Sequence, residues 1–130
     1  QRLLEQLNHA GLPVAFTQEG VPTPLGGGLQ MAIYRIVQEA LTNALRHGDT
    51  NEEAQLVIDW RQDGVKLTVI NRMPRVPALP SGARGGHGVP GMRERATLAG
   101  GWLSAEPGNG LFTVSAYLPS AVGPHTGTLA

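Results

Sequence analysis

Glu39, Asn43 and Arg46 supply a carboxylate, an amide and a guanidinium, and the imidazole of His47 follows directly. Their spacings of four and three put the first three on one side of any helix that carries them. Such a stripe suits a metal-phosphate group. An Asn oxygen can ligate Mg²⁺, which prefers hard oxygen donors and keeps several waters. Arg46 can meet phosphate oxygens, and Glu39 can orient a nucleophile or a water. The solvated face of an ordinary amphipathic helix has the same composition, so the stripe alone leaves both readings open.

A second group surrounds His87. Gly85, Gly86, Gly88 and Gly91, with Val89 and Pro90 between them, run into Met92 and a helical stretch. Glycines permit close backbone approach, and a helix start presents unpaired N–H groups and a positive dipole end to an anion. Phosphates fit there; a connector ending in an ordinary helix start has the same residues. Arg93 and Arg95 read as surface ion-pairing residues.

The elements that position these groups follow from periodicity. Ile33, Ile36, Val37, Ala40, Leu41, Ala44 and Leu45 recur at helical intervals and predict a helix over 29–47, with Gly48 as its C-cap. Leu3, Leu4 and Leu7 predict a shorter helix ahead of Gly11, and residues 12–17 a strand. Apolar alternation over 54–60 and 65–70 flanks Gln62-Asp63-Gly64, and over 102–106 and 111–118 flanks Pro107-Gly108-Asn109-Gly110; both read as hairpins. Phe112 alternates with Val114 and is expected in the core. Residues 71–88 hold Pro74, Pro77 and Pro80 among many glycines, which predicts a long irregular loop. Helix resumes over 92–99 and stops at Gly100-Gly101. Hairpins and segregated helices predict an α+β sandwich with one sheet face against three helices.

At 130 residues with formal charge zero, the chain fits one domain and carries no basic field for nucleic acid or anionic lipid. We expect the domain over 1–119 and a frayed tail over 120–130. Cysteine is absent, which excludes disulfides and thiolate metal sites. No apolar run reaches the roughly 20 residues that span a bilayer, and residues 1–10 are too polar for a signal peptide. The four histidines lack metal-ligand spacing, so zinc is not expected. Arg2 to Leu7 have helical spacing with no start signal before them, which predicts that the chain begins inside a longer protein.

Tyr34-Arg35-Ile36-Val37-Gln38-Glu39-Ala40-Leu41-Thr42-Asn43-Ala44-Leu45-Arg46-His47-Gly48 resembles the N box of bacterial sensor histidine kinases. The subgroup is the one paired with regulators that carry helix-turn-helix output domains. Gly86-His87-Gly88-Val89-Pro90-Gly91-Met92-Arg93-Glu94-Arg95-Ala96, followed by Leu98-Ala99-Gly100-Gly101, resembles that subgroup's G2 box and helix. The stretch from Gly110 to Pro119 resembles its last strand. Two long motifs in this order cover most of the chain and carry far more weight together than either does singly. The resemblance implies the Bergerat type of ATP-binding fold, shared with gyrase, chaperone and mismatch-repair ATPases, with a mixed sheet of about five strands on three helices. It implies ATP and Mg²⁺ as cofactors, Asn43 as the Mg²⁺ ligand, and Glu39 in the place of the base used by the ATPase relatives. Arg46 replaces an N-box lysine near the phosphates. His47, Gly86, His87, Gly88, Val89, Gly91 and Met92 join the ATP-binding set, and residues 72–88 become an ATP lid.

The chain departs from the family in the adenine pocket. An Asp-x-Gly-x-Gly segment commonly follows the central hairpin there, its Asp accepting from the adenine amino group; this chain has Asn71-Arg72-Met73-Pro74. Asn71 keeps an acceptor oxygen without the charge that strengthens such a bond. Leu111 and Phe112 stand where many relatives have a small hydroxyl residue.

The function expected from the resemblance is transfer of the γ-phosphoryl group of ATP to a histidine on an upstream dimerisation domain, and onward to a cognate response regulator in two-component signalling. This chain lacks that histidine, since neither His9 nor His125 lies on a dimerising helical hairpin, so it is expected to be inactive alone and monomeric. The parent is expected to be a homodimer, working in the cytoplasm. Two alternatives stay open at this level: a free-standing serine kinase of the anti-sigma type, and an interaction module that has lost ATP binding.

Overall fold

The computed structural model describes residues 2–22, 24–74 and 88–120. Eight elements follow in the order α1 (Arg2–His9), β1 (Val14–Glu19), α2 (Gly27–His47), β2 (Ala54–Arg61), β3 (Gly64–Arg72), α3 (Gly88–Leu98), β4 (Trp102–Gly108) and β5 (Leu111–Pro119). The strands form one mixed sheet in the order β1-β2-β3-β5-β4. β1 and β2 run parallel, and every other neighbouring pair is antiparallel. Parallel neighbours need a crossover long enough to return the chain, and α2 is that crossover.

Alternation along the strands gives the sheet one apolar face. Leu56, Val65, Leu67, Val69, Leu103, Val114, Ala116 and Leu118 are buried on it. From α2 come Ile36, Val37, Ala40, Leu41 and Ala44, buried at helical spacing, and from α3 come Met92 and Ala96. The opposite stripe of α2, which carries the polar groups, is thereby turned toward the open side of the layer. Phe112 packs against this core, as its alternation predicts.

The β2–β3 hairpin closes on Gln62 and Asp63, between the paired Arg61 and Gly64. The β4–β5 hairpin closes on Asn109 and Gly110, both with positive φ (54° and 78°). Two left-handed residues in a two-residue turn match the twist of the flanking strands, which is why Asn-Gly is favoured there.

Three boundaries differ from the expectations. β1 runs over Val14–Glu19 instead of 12–17, because its parallel partner begins at Ala54, opposite Val14. β3 continues through Asn71 and Arg72, which were expected in the loop, because Phe112 and Leu111 of β5 pair with them. α3 begins at Gly88, not Met92: Pro90 falls in its first turn, where a missing N–H removes no helical bond. Residues 75–87, most of the expected lid, and the tail over 121–130 lie outside the described residues.

Candidate functional site

The candidate residues lie on the C-terminal half of α2, at the end of β3 and at the start of α3. Four residues of α-helix rise about 6 Å, so Glu39 and Asn43 stack one turn apart on the polar stripe of α2. Glu39 and Asn43 are half-buried, whereas Arg46 and His47 are exposed at the helix end. Asn43 is unusual in its surroundings. Its Nδ2 is cut off from solvent and has no hydrogen-bond partner among the described residues. A buried amide left unpaired costs about 1–3 kcal/mol, and such groups concentrate where a ligand completes them.

Asn71 comes to the end of this helix through a set of backbone bonds. The Gly48 N–H caps α2 by donating to the Ala44 carbonyl at 2.9 Å, and the next N–H, of Asp49, donates to the Arg72 carbonyl at 2.8 Å. That bond ties the helix end to the end of β3. Asn71 is 8% exposed, the one buried polar residue among those described. Its Nδ2 donates to the same Arg72 carbonyl at 3.2 Å.

α3 packs on α2, its C-terminal residues Arg95, Leu98 and Ala99 sharing a cleft with Gly28, Ala32 and Arg35 from the first half of α2. Its N-terminal turn carries the positive end of the helix. In that turn Gly91 and Pro90 are exposed and Val89 is half-buried. Met92, expected among the ATP contacts, is wholly enclosed in the core, where it anchors the helix start. Arg93 donates its Nε to the Leu103 carbonyl at 3.3 Å and so holds α3 to β4. Gly86 and His87 lie outside the described residues, and Gly88 enters only as the first residue of α3.

A cleft of about 610 Å³ opens between α1, α2 and the β1–β2 side of the sheet, lined by apolar groups such as Phe16, Ile33 and Trp60. None of the expected site residues reaches it. Its lining lacks the convergent charged groups that phosphate binding requires. Gly48 and the Arg72 carbonyl are site features that residue typing missed, since their part depends on which backbone atoms meet in space.

A five-strand mixed sheet, covered on one face by three helices, defines a two-layer α+β class of protein. Residues 28–122 match the family described as histidine kinase-, DNA gyrase B- and HSP90-like ATPase. The chain belongs to this family, and ATP binding follows from membership. It is 33% identical to the sensor histidine kinase YhcY of Bacillus subtilis (strain 168) over 107 residues, which cover 77% of this chain and 26% of that protein. It is 40% identical to the sensor histidine kinase YxjM of the same organism over 72 residues, 55% of this chain and 16% of that one. The chain thus spans 16% to 26% of the length of these relatives. Among solved structures, the Acinetobacter baumannii histidine kinase AdeS superposes with a TM-score of 0.70 at 11% identity, over 92% of this chain and 62% of that one. That likeness concerns the fold.

Proposed function

We propose that this chain binds Mg-ATP at the junction of α2, β3 and α3 and offers the γ-phosphoryl group to a histidine on a separate dimerising helical domain. The phosphoryl group then passes to a response regulator. The observation that carries the reading is the Asn43 Nδ2, cut off from solvent with no hydrogen-bond partner among the described residues, one turn from Glu39 on α2. An amide turned about its last bond presents oxygen in place of nitrogen, so the orphaned group fits a hard cation.

Mg²⁺ bound to nucleotide keeps most of its waters and takes one or two protein oxygens, so Asn43 suffices to hold it. When bound, Mg²⁺ neutralises charge on the phosphates. Arg46 and His47, exposed at the end of α2, meet phosphate oxygens. The amides at the start of α3, with Gly86, His87, Gly88, Val89 and Gly91, cradle the phosphate chain. Asn71 accepts from the adenine amino group. Glu39 accepts a hydrogen bond from the incoming imidazole and orients its free nitrogen toward the γ-phosphorus; that nitrogen forms the new N–P bond as ADP leaves. Catalysis on this account is positioning and charge neutralisation.

The test supplies the missing acceptor. Mixed with radiolabelled Mg-ATP and a dimeric helical domain bearing the histidine, the chain should transfer acid-labile phosphate to that domain; alone, it should acquire none. Stable phosphate on the chain alone, or none on a folded acceptor domain, would contradict the reading.

A further inference from the structure

A Cβ built on Gly48 would lie 2.4 Å from Asn71 Nδ2, 2.8 Å from the Ala44 carbonyl oxygen and 3.2 Å from the Arg72 carbonyl oxygen. The Asn71 Nδ2 therefore lies in space that a side chain at position 48 would crowd. A carbonyl oxygen only accepts, so the end of the amide that faces the Arg72 carbonyl is the NH₂ group, and the 3.2 Å bond from Nδ2 is that contact made. Turning the amide over would set Oδ1 against the Arg72 oxygen, acceptor against acceptor. Gly48 itself has φ −93° and ψ −179°, an extended conformation open to any residue. Glycine is needed there for space and not for backbone freedom.

We infer that Gly48 is a positioning residue: the space it leaves lets the Arg72 carbonyl hold the Asn71 amide in one orientation, with Oδ1 as the end offered to a bound base. The inference rests on the reading of Asn71 as the contact to adenine. A fixed acceptor takes a hydrogen bond from the exocyclic amino group of a 6-aminopurine and repels the 6-oxo group of guanine. A freely turning amide offers oxygen to the first and nitrogen to the second, and loses that discrimination. The neutral amide that departs from the family's aspartate is thus held as an acceptor by backbone around it.

Two measurements on the intact chain test this. In solution NMR the side-chain NH₂ of Asn71 should give nuclear Overhauser contacts to the Gly48 α-protons and exchange slowly with solvent. Absence of those contacts overturns the inference without any substitution. Calorimetric titrations with Mg-ATP and Mg-GTP then compare the parent, Gly48→Ala, Asn71→Ala and the double variant. The ATP-to-GTP affinity ratio should fall about tenfold in Gly48→Ala. In the Asn71→Ala background, Gly48→Ala should leave the ratio unchanged, since the residue acts through that amide. A ratio unmoved by Gly48→Ala, or an equal loss for both nucleotides, overturns the inference while the ATP site stands. A parent that binds neither nucleotide overturns the site reading and this inference with it.

Discussion

Asn43 holds a buried amide nitrogen without a partner among the described residues, on a helix that would be better off with alanine. The physical expectation is a trade between stability and function. Asn43→Ala should fold normally and be as stable as the parent or up to about 1 kcal/mol more stable, read from the urea midpoint, because the orphaned group is gone. Glu39 should behave differently. With the carboxylate replaced in Glu39→Gln, ATP affinity should change little while transfer to a supplied histidine domain falls by about 10²-fold or more, as removal of a group that orients the nucleophile predicts. Equal loss of binding and transfer would assign Glu39 to nucleotide binding instead. The Glu39, Asn43 and Arg46 stripe was legible in the sequence because helical spacing is local. The surroundings of Asn71 were not, because they depend on the register of β3 against β5 and on a main-chain carbonyl that carries no residue-type signal. The same limit explains Met92, which the motif grouped with the ATP contacts and the packing encloses in the core.

At the scale of elements, α2 both carries the site and fills the middle of the core. Leu41 is fully enclosed, so Leu41→Ala should lower stability by about 2–5 kcal/mol, with the urea midpoint falling and the slope of the transition unchanged. The start of α3 should respond to nucleotide. The amide of Val89, in the first turn of α3, has no helical carbonyl four residues before it, so hydrogen exchange there should slow with saturating Mg-ATP. Unchanged exchange there, with Asn43 still responding, would make the segment a connector. The β2–β3 turn gives a prediction in pH. The Tyr117 hydroxyl is held above its ordinary value of 10.0 by burial, then by its bond to Asp63 and that residue's charge, and it donates to the Asp63 carbonyl at 3.0 Å. A raised pKa means the folded state holds the proton more tightly. That contribution is complete below pH 10 and is lost as pH rises through the folded value. Thermal stability should therefore drop more steeply above pH 10 in the parent than in Tyr117→Phe. The hairpins and the three helices were legible from periodicity and turn residues. The strand order and the parallel β1–β2 pair were not, since pairing partners far apart in the chain leave no local pattern, and α3 started early because a proline in a first turn reads like a loop.

For the whole molecule, the arrangement divides labour between a rigid sheet and one end of its helix layer. None of the described helices is long and apolar enough to cross a membrane. The chain matches only part of each sensor histidine kinase relative. The central claim is that Asn43 completes a Mg-ATP site, and calorimetric titration of ATP into the parent chain and Asn43→Ala, each with Mg²⁺ and with chelator, tests it most directly. The account predicts one ATP per chain in the parent, tightened by Mg²⁺, and no Mg²⁺-dependent binding in a folded Asn43→Ala. Equal Mg-ATP affinity in the two chains, or no ATP binding by the parent, would contradict it.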